Sequence, residues 1–232
     1  MPMMRLTCTS LTLALALACS TVACAGQAPE PPGSGHRDID KVNGGIKLPA
    51  GSSAGDVSTV NGGISLGDGS RAGQVENVNG GIDLGDSVTV ESIEGVNGGI
   101  DAGKELQVKR GIETVNGGVR LAAGADVGGD LTTVNGSIEL DHARIAGRIE
   151  IAAGSIDTGR GSHIGGIKVS KPGGSNWNNN RLPRVIIGPD SVVSGDIVLE
   201  RETELYVHDS ARIGAVRGGS ARPYSGDRPE LD

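Results

Sequence analysis

Phenylalanine is absent from the 232 residues, and Trp177, Tyr206 and Tyr224 are the only aromatic side chains. An interior without rings has to be filled by Val, Ile, Leu and Ala. That suits a narrow core to which each short strand adds a few branched aliphatics, and it suits a conventional two-layer domain poorly. Cysteine is nearly as scarce. Cys8, Cys19 and Cys24 all lie near the N-terminus, so a chain starting at Gly26 has neither a disulfide framework nor a cysteine-based metal site. Long hydrophobic runs are missing too, since Leu6 to Ala18 is too short to span a bilayer comfortably. Nor is there a basic excess: 28 acidic residues against 21 basic ones give a net charge of −7, and removing residues 1–25 takes away only Arg5, which leaves −8. This balance argues against nucleic acid and anionic lipid as partners, and it keeps a long β-surface soluble.

Arg5, the apolar run behind it and the A-x-A site Ala23-Cys24-Ala25 have the pattern of a removable export signal over residues 1–25. The expected location is periplasmic or on the cell surface. Cys24 offers a second reading, as the lipidated first residue of an outer-membrane lipoprotein, although Thr21 stands where such signals usually carry Leu. In that case the protein is tethered to a membrane without a transmembrane span.

What the sequence has in abundance is glycine, 40 residues of it, without the every-third spacing of collagen. Much of it belongs to one phrase. VNGGI occurs at Val42–Ile46, Val60–Ile64, Val78–Ile82 and Val96–Ile100, followed by VNGGV at Val115–Val119 and VNGSI at Val134–Ile138. The step is 18 residues and then 19, and a degraded copy, Ala153-Gly154-Ser155-Ile156, follows. A fixed period of this size marks a solenoid, whose coils bury their apolar side only by stacking on their neighbours.

Within each coil the apolar positions keep constant offsets from the Asn. Ile82 and Leu84 with Asp83 between them show strand alternation, and Val88 with Val90 or Leu106 with Val108 form a second alternating pair. The expectation is an all-β, single-stranded parallel β-helix of about 18 residues per coil with three short strands in each. Asn-Gly also marks hairpins, because both residues tolerate positive φ. One such pair per coil, however, is too few for a meander. Stacking coils places Asn43, Asn61, Asn79, Asn97, Asn116 and Asn135 one above another, so their amides are expected to form a structural ladder facing inward.

Residues 26–37 read as a flexible linker and 38–216 as the β-helix. It is interrupted by a Pro-, Gly- and Asn-rich loop insertion at 170–184 and completed by C-terminal coils and a cap at 185–216, and a disordered tail is expected over 217–232. The charged strands around Glu200, Arg201, Glu202, Glu204, His208 and Asp209 are the expected cap, and Asp38 to Lys41 form a weaker guard at the other end. The coil length, the Gly-rich corners and the export signal resemble the bacterial polymer-forming proteins of the bactofilin type and the adhesin-like β-helix repeats of envelope proteins. The resemblance covers roughly 38–216 and implies a right-handed triangular β-helix. Left-handed hexapeptide helices also have 18 residues per coil, and the six-residue units at Ile187 to Val198 keep that alternative open. The export signal departs from bactofilins, which are generally cytoplasmic or membrane-associated scaffolds.

Reactive chemistry is hard to find. Calcium-binding nonapeptide repeats need Gly-Gly-x-Gly-x-Asp every nine residues, whereas the position of Asp83 is Lys47, Ser65, Asp101, Arg120 and Glu139 in other coils. His36, His142, His163 and His208 have no metal-binding spacing. Asp141, Asp157, Asp190 and Asp196 are candidate acids of a polysaccharide-cleaving face, but no spacing selects them. No catalytic residue, metal or cofactor is therefore expected. The expected function is a non-catalytic structural or adhesin-like role in the cell envelope, with partners drawn from the protein itself through end-to-end contacts or from envelope glycan. The alternative is a glycan-binding module built on Trp177 with Asn176, Asn178, Asn179 and Asn180, a stacking face among amide hydrogen-bonders.

Overall fold

A computed structural model describes residues 36–171 and 182–230. The signal segment, most of the linker, Cys24, Trp177 and Asn176, Asn178, Asn179 and Asn180 lie outside the described residues. Every regular element among those described is a β-strand, and no helix long and apolar enough to cross a membrane occurs among them.

All strand pairings are parallel, and three ladders run along the coil axis. The first contains Ile39–Asn43, Val57–Asn61, Gln74–Asn79, Ser92–Asn97 and Ile112–Asn116. It continues through the start of Leu131–Leu140, the middle of Arg144–Asp157, the end of His163–Val169, Ile197–Leu199 and Val216–Arg217. The second ladder starts from Ile46–Leu48, Ile64–Leu66, Ile82–Leu84 and Ile100–Ala102, and the third from two-residue strands such as Thr89–Val90, Gln107–Val108 and Asp126–Val127. Register follows the repeat, so that Ile46, Ile64, Ile82, Ile100, Val119, Ile138 and Ile156 stack in one column. Asn-Gly therefore makes a corner between ladders, and the hairpin alternative is gone.

The alternation decides what is buried. In one coil Val75, Ile82, Leu84, Val88 and Val90 all point inward and are nearly inaccessible. Each such side chain contributes roughly 1.5–3 kcal/mol relative to exposure. That gain exists only once the next coil covers it.

Glycine has two separate jobs at the corners. At the corner after the Asn, each first Gly packs against the one below: a Cβ on Gly98 (φ +149°) would lie 1.9 Å from the Gly80 carbonyl oxygen, and one on Gly117 1.9 Å from that of Gly98. The second Gly is roomier, with 3.5 Å from Gly99 to the Gly118 oxygen, which is why Ser137 and Ser155 can stand at this place in later coils. At the corner between the second and third ladders the chain needs a left-handed residue. Gly51, Gly69, Gly124 and Gly161 supply it in some coils, and Ser87, Glu105, His142 and Asp190 adopt φ of 45–58° in others, at about 1–2 kcal/mol each. No asparagine of the repeat takes positive φ, contrary to the tolerance read from Asn-Gly; the glycine alone makes the turn.

Corner carboxylates tie coils together. Asp38 Oδ1 accepts the backbone N–H of Asp56, Asp56 Oδ1 that of Gln74, Asp68 Oδ1 that of Asp86 and Asp86 Oδ1 that of Lys104, at 2.7–3.0 Å. These groups would otherwise be unpaired where the ladders break.

The C-terminal end differs from expectation. The 217–232 segment, expected to be disordered, holds a strand, Ala221–Tyr224, that pairs with Glu204–His208 and covers the strands expected to be the cap. Pro223 sits in this outermost strand and has no N–H to offer, which blunts further pairing. Tyr224 packs edge-on against His208 at 5.1 Å, and its hydroxyl donates to the Ile187 carbonyl at 3.3 Å. Replacing Gly98 by Ala should cost about 1–3 kcal/mol through overpacking, whereas Gly99→Ala should stay within about 0.5 kcal/mol. Urea-unfolding midpoints of the two variants measure the difference.

Candidate functional site: an outward track of valine and asparagine

The first ladder carries the most regular surface of the molecule. From buried Val57 the strand alternates, with Ser58 outward, Thr59 inward and Val60 outward. The valine of every VNGG phrase thus faces away from the core. Val42 is 67 % exposed, Val60 39 % and Val78 37 %, and Val96, Val115 and Val134 are half-buried.

The asparagines stand beside this valine column. Asn61 Nδ2 donates to Asn43 Oδ1, and the same bond repeats from Asn79 to Asn61, Asn97 to Asn79, Asn116 to Asn97 and Asn135 to Asn116, at 3.0–3.2 Å. The ladder lies on the outside, not inside as the sequence suggests: Asn43 to Asn116 are exposed and Asn135 is half-buried. The corner begins at the Asn and swings its side chain out. All the bonds run in one direction, so among the described residues Asn43 Nδ2 and Asn135 Oδ1 have no side-chain partner at the two ends.

Behind the track, the inward positions Thr59, Asn77, Thr114 and Thr133 are buried although polar. Thr59 Oγ1 donates to the Gly44 carbonyl at 3.2 Å, Asn77 Nδ2 to that of Gly62 at 2.7 Å and Thr133 Oγ1 to that of Gly117 at 3.4 Å. Sequence reasoning passes over these residues. Their signal is a polar residue recurring two places before the Asn, where alternation demands a buried one.

On the other side of the valines, Glu76, Glu94 and Glu113 stack in register. Burial, together with the charges of Glu76 and Glu113, raises the Glu94 carboxyl above its ordinary 4.5, against the opposing Arg110 charge and the Gln74 hydrogen bond. In two other places opposite charges meet. Arg120 pairs with Asp101 at 2.9 Å and Glu139 at 3.1 Å, and Lys168 with Glu150 at 3.1 Å and Glu200 at 3.4 Å. The Asp101 position is therefore an exposed ion-pair site.

Where Ala153 replaces the next Asn, the track opens into a cleft of about 540 Å³ lined by Asn135, Gly136, Ser137, Ala153, Gly154, Ser155, Leu182 and Arg184. Ser155 Oγ donates to Ser137 Oγ at 3.0 Å, and Arg184 is neutralised by Glu204 at 2.8 Å. The four candidate acids are taken up separately. Asp141 meets His142 at 2.7 Å, Asp157 accepts the Gly159 N–H at 2.9 Å, Asp196 pairs with Arg217 at 2.9 Å and Asp190 turns a corner. Among the described residues no three His, Cys, Asp or Glu side chains form a group able to hold a metal ion.

No family model, curated protein or solved structure matches this chain. The molecule stands as a β-solenoid of repeats on its own geometry.

Asn97→Ala removes two ladder bonds, each worth about 0.5–1.5 kcal/mol, and should destabilise more than Asp101→Ala, which loses only an exposed, solvent-screened ion pair to Arg120. Equal shifts in chemical denaturation would show that the ladder adds nothing. Glu94 binds protons more tightly folded than unfolded, so its contribution to stability is present in acid and is lost as pH rises from about 4.5 through the raised value. Glu94→Gln should therefore stabilise at pH 7, by about 0.2–1 kcal/mol if cross-strand like-charge repulsion sets the scale. That gain should shrink as the pH is lowered toward 4.5, as thermal melts across this range would record.

Proposed function

We propose that this chain is an exported, non-catalytic β-solenoid with a structural or adhesin-like interaction role in the bacterial cell envelope. The observation that carries this reading is the outward track. Valine and asparagine recur unchanged from Val42-Asn43 to Val134-Asn135, although neither supplies a core residue. The outward position of the second ladder, free of such constraint, is Lys47, Ser65, Asp83, Asp101, Arg120 and Glu139. A surface held constant through the repeats while its neighbour varies is a surface with a task.

The bactofilin-like and adhesin-like resemblance belongs to this reading, and with it the right-handed triangular coil. So does the export signal at 1–25, with periplasmic or surface location, and Cys24 as an alternative lipid anchor. Self-contact through the first coil belongs to this reading as well, since Ile39–Asn43 opens its ladder with a strand that contains no proline.

The test is to incubate the purified mature protein with cell-wall polysaccharides and assay released reducing ends. No release above a heat-denatured control is expected. Sustained product formation would end the non-catalytic reading.

A further inference from the structure

We propose that the outward track of the first ladder, from Val42 and Asn43 to the cleft at Asn135, binds an extended, uncharged polysaccharide laid along the coil axis. This rests on the reading of the solenoid as a non-catalytic interaction protein and names the ligand class of that same surface.

Three observations converge. First, the asparagine column is not saturated. An amide offers two N–H groups and two lone pairs, and the ladder uses one of each, so each Asn between the two ends keeps one donor and one acceptor for solvent. The repeat of this pair at the strand spacing, beside valine methyl groups, matches a ribbon whose edges carry hydroxyls and whose faces carry C–H groups.

Second, the charges choose among polymers. The track itself contains no charged side chain, and Glu76, Glu94 and Glu113 flank the valines. A phosphate- or carboxylate-bearing chain would be repelled along most of its length. Arg184, the one cationic side chain among the described residues lining the cleft, is already paired with Glu204. Asn135 Oδ1, which ends the ladder among the described residues, and the hydroxyls of Ser137 and Ser155 are left to meet sugar hydroxyls beside the apolar Ala153 and Leu182.

Third, the dimensions suit a ribbon better than a protein partner. Six rungs at ~4.8 Å make a stripe roughly 25 Å long and about one strand pair wide, an area well under the ~800 Å² that each side of a stable protein interface buries. One sugar chain covers such a stripe fully. A second copy of this protein would leave most of its contact to residues that vary from coil to coil.

The experiment is co-sedimentation of the full mature chain with particles of cellulose, chitin and curdlan, and with alginate gel as the anionic comparison. Binding to at least one neutral polymer is expected, with alginate weaker by about tenfold or more. A Val60→Ser/Val78→Ser/Val96→Ser variant and a Val78→Lys variant should each bind at least about tenfold more weakly. A Lys47→Ser/Ser65→Ala/Asp83→Ser control on the second ladder should bind as the parent does. Circular-dichroism melts of all variants check that the coil is intact; the single Val78→Lys change guards against a misfolded triple variant. Absence of binding to all three neutral polymers, equal binding by the valine variants, or equal binding to alginate would overturn the proposal. So would sedimentation equilibrium showing that the valine face is occupied by a second copy. Failure of binding leaves the non-catalytic reading intact, whereas soluble product released from the particles would remove that reading instead.

Discussion

The contact between a glycine α-carbon and the carbonyl oxygen of the glycine one coil below governs this molecule. At Gly98 over Gly80, and again at Gly117, Gly136 and Gly154, a methyl group would lie within 2 Å of that oxygen. Coils can approach to strand distance at this corner only in a register that puts glycine on glycine. Once that register holds, every other position is placed on its own equivalent. Side chains that bond to copies of themselves then gain from stacking, as the Asn amides do and as Ser155 does on Ser137. Charges do not gain, and the outer surface shows how they are managed: Asp101, Arg120 and Glu139 alternate in sign, as do Glu150, Lys168 and Glu200. Glu76, Glu94 and Glu113 break that pattern beside the valine track.

How much of this can be read in advance depends on how local the cause is. The 18- and 19-residue steps, with Ile and Leu at constant offsets, are enough for parallel coils and for the buried columns, because in-register stacking turns a period in sequence into a column in space. The direction of the asparagines is a different matter. Alternation counted from Val57 through Thr59 places Asn61 inside, but the corner starts there and the count no longer applies. The valines do follow the count: the same alternation from Val57 puts Val60 outside, where it faces water. At the C-terminus, Ala221–Tyr224 has almost no apolar alternation, because a strand closing the end of a stack needs only one paired edge. The cleft depends on Leu182 and Arg184 returning to the coil after the insertion, and no period announces that.

The buried polar column shows how one broken ladder shapes its neighbours. In the early coils the first ladder ends at the Asn and the second resumes at the Ile, with the two glycines belonging to neither. The first glycine's carbonyl then lacks a ladder partner, and a buried carbonyl without one costs about 1–3 kcal/mol. Thr59, Asn77 and Thr133 meet that need for Gly44, Gly62 and Gly117. From Leu131–Leu140 onward the strand runs through the corner, and Gly136 pairs in register with Gly154 and Ser137 with Ser155. The side-chain donor is no longer required. At that coil the inward residue becomes Ile151, followed by Val169 and Leu199, all buried. Thr114, whose Oγ1 has no hydrogen-bond partner, and Gly95, which has no side chain, are the two places where the arrangement is left incomplete. They occupy adjacent rungs in the middle of the valine and asparagine track. The surface there keeps its constant pattern even where the packing behind it lapses, as expected if the pattern is held by what lies outside the coil and not by what lies within.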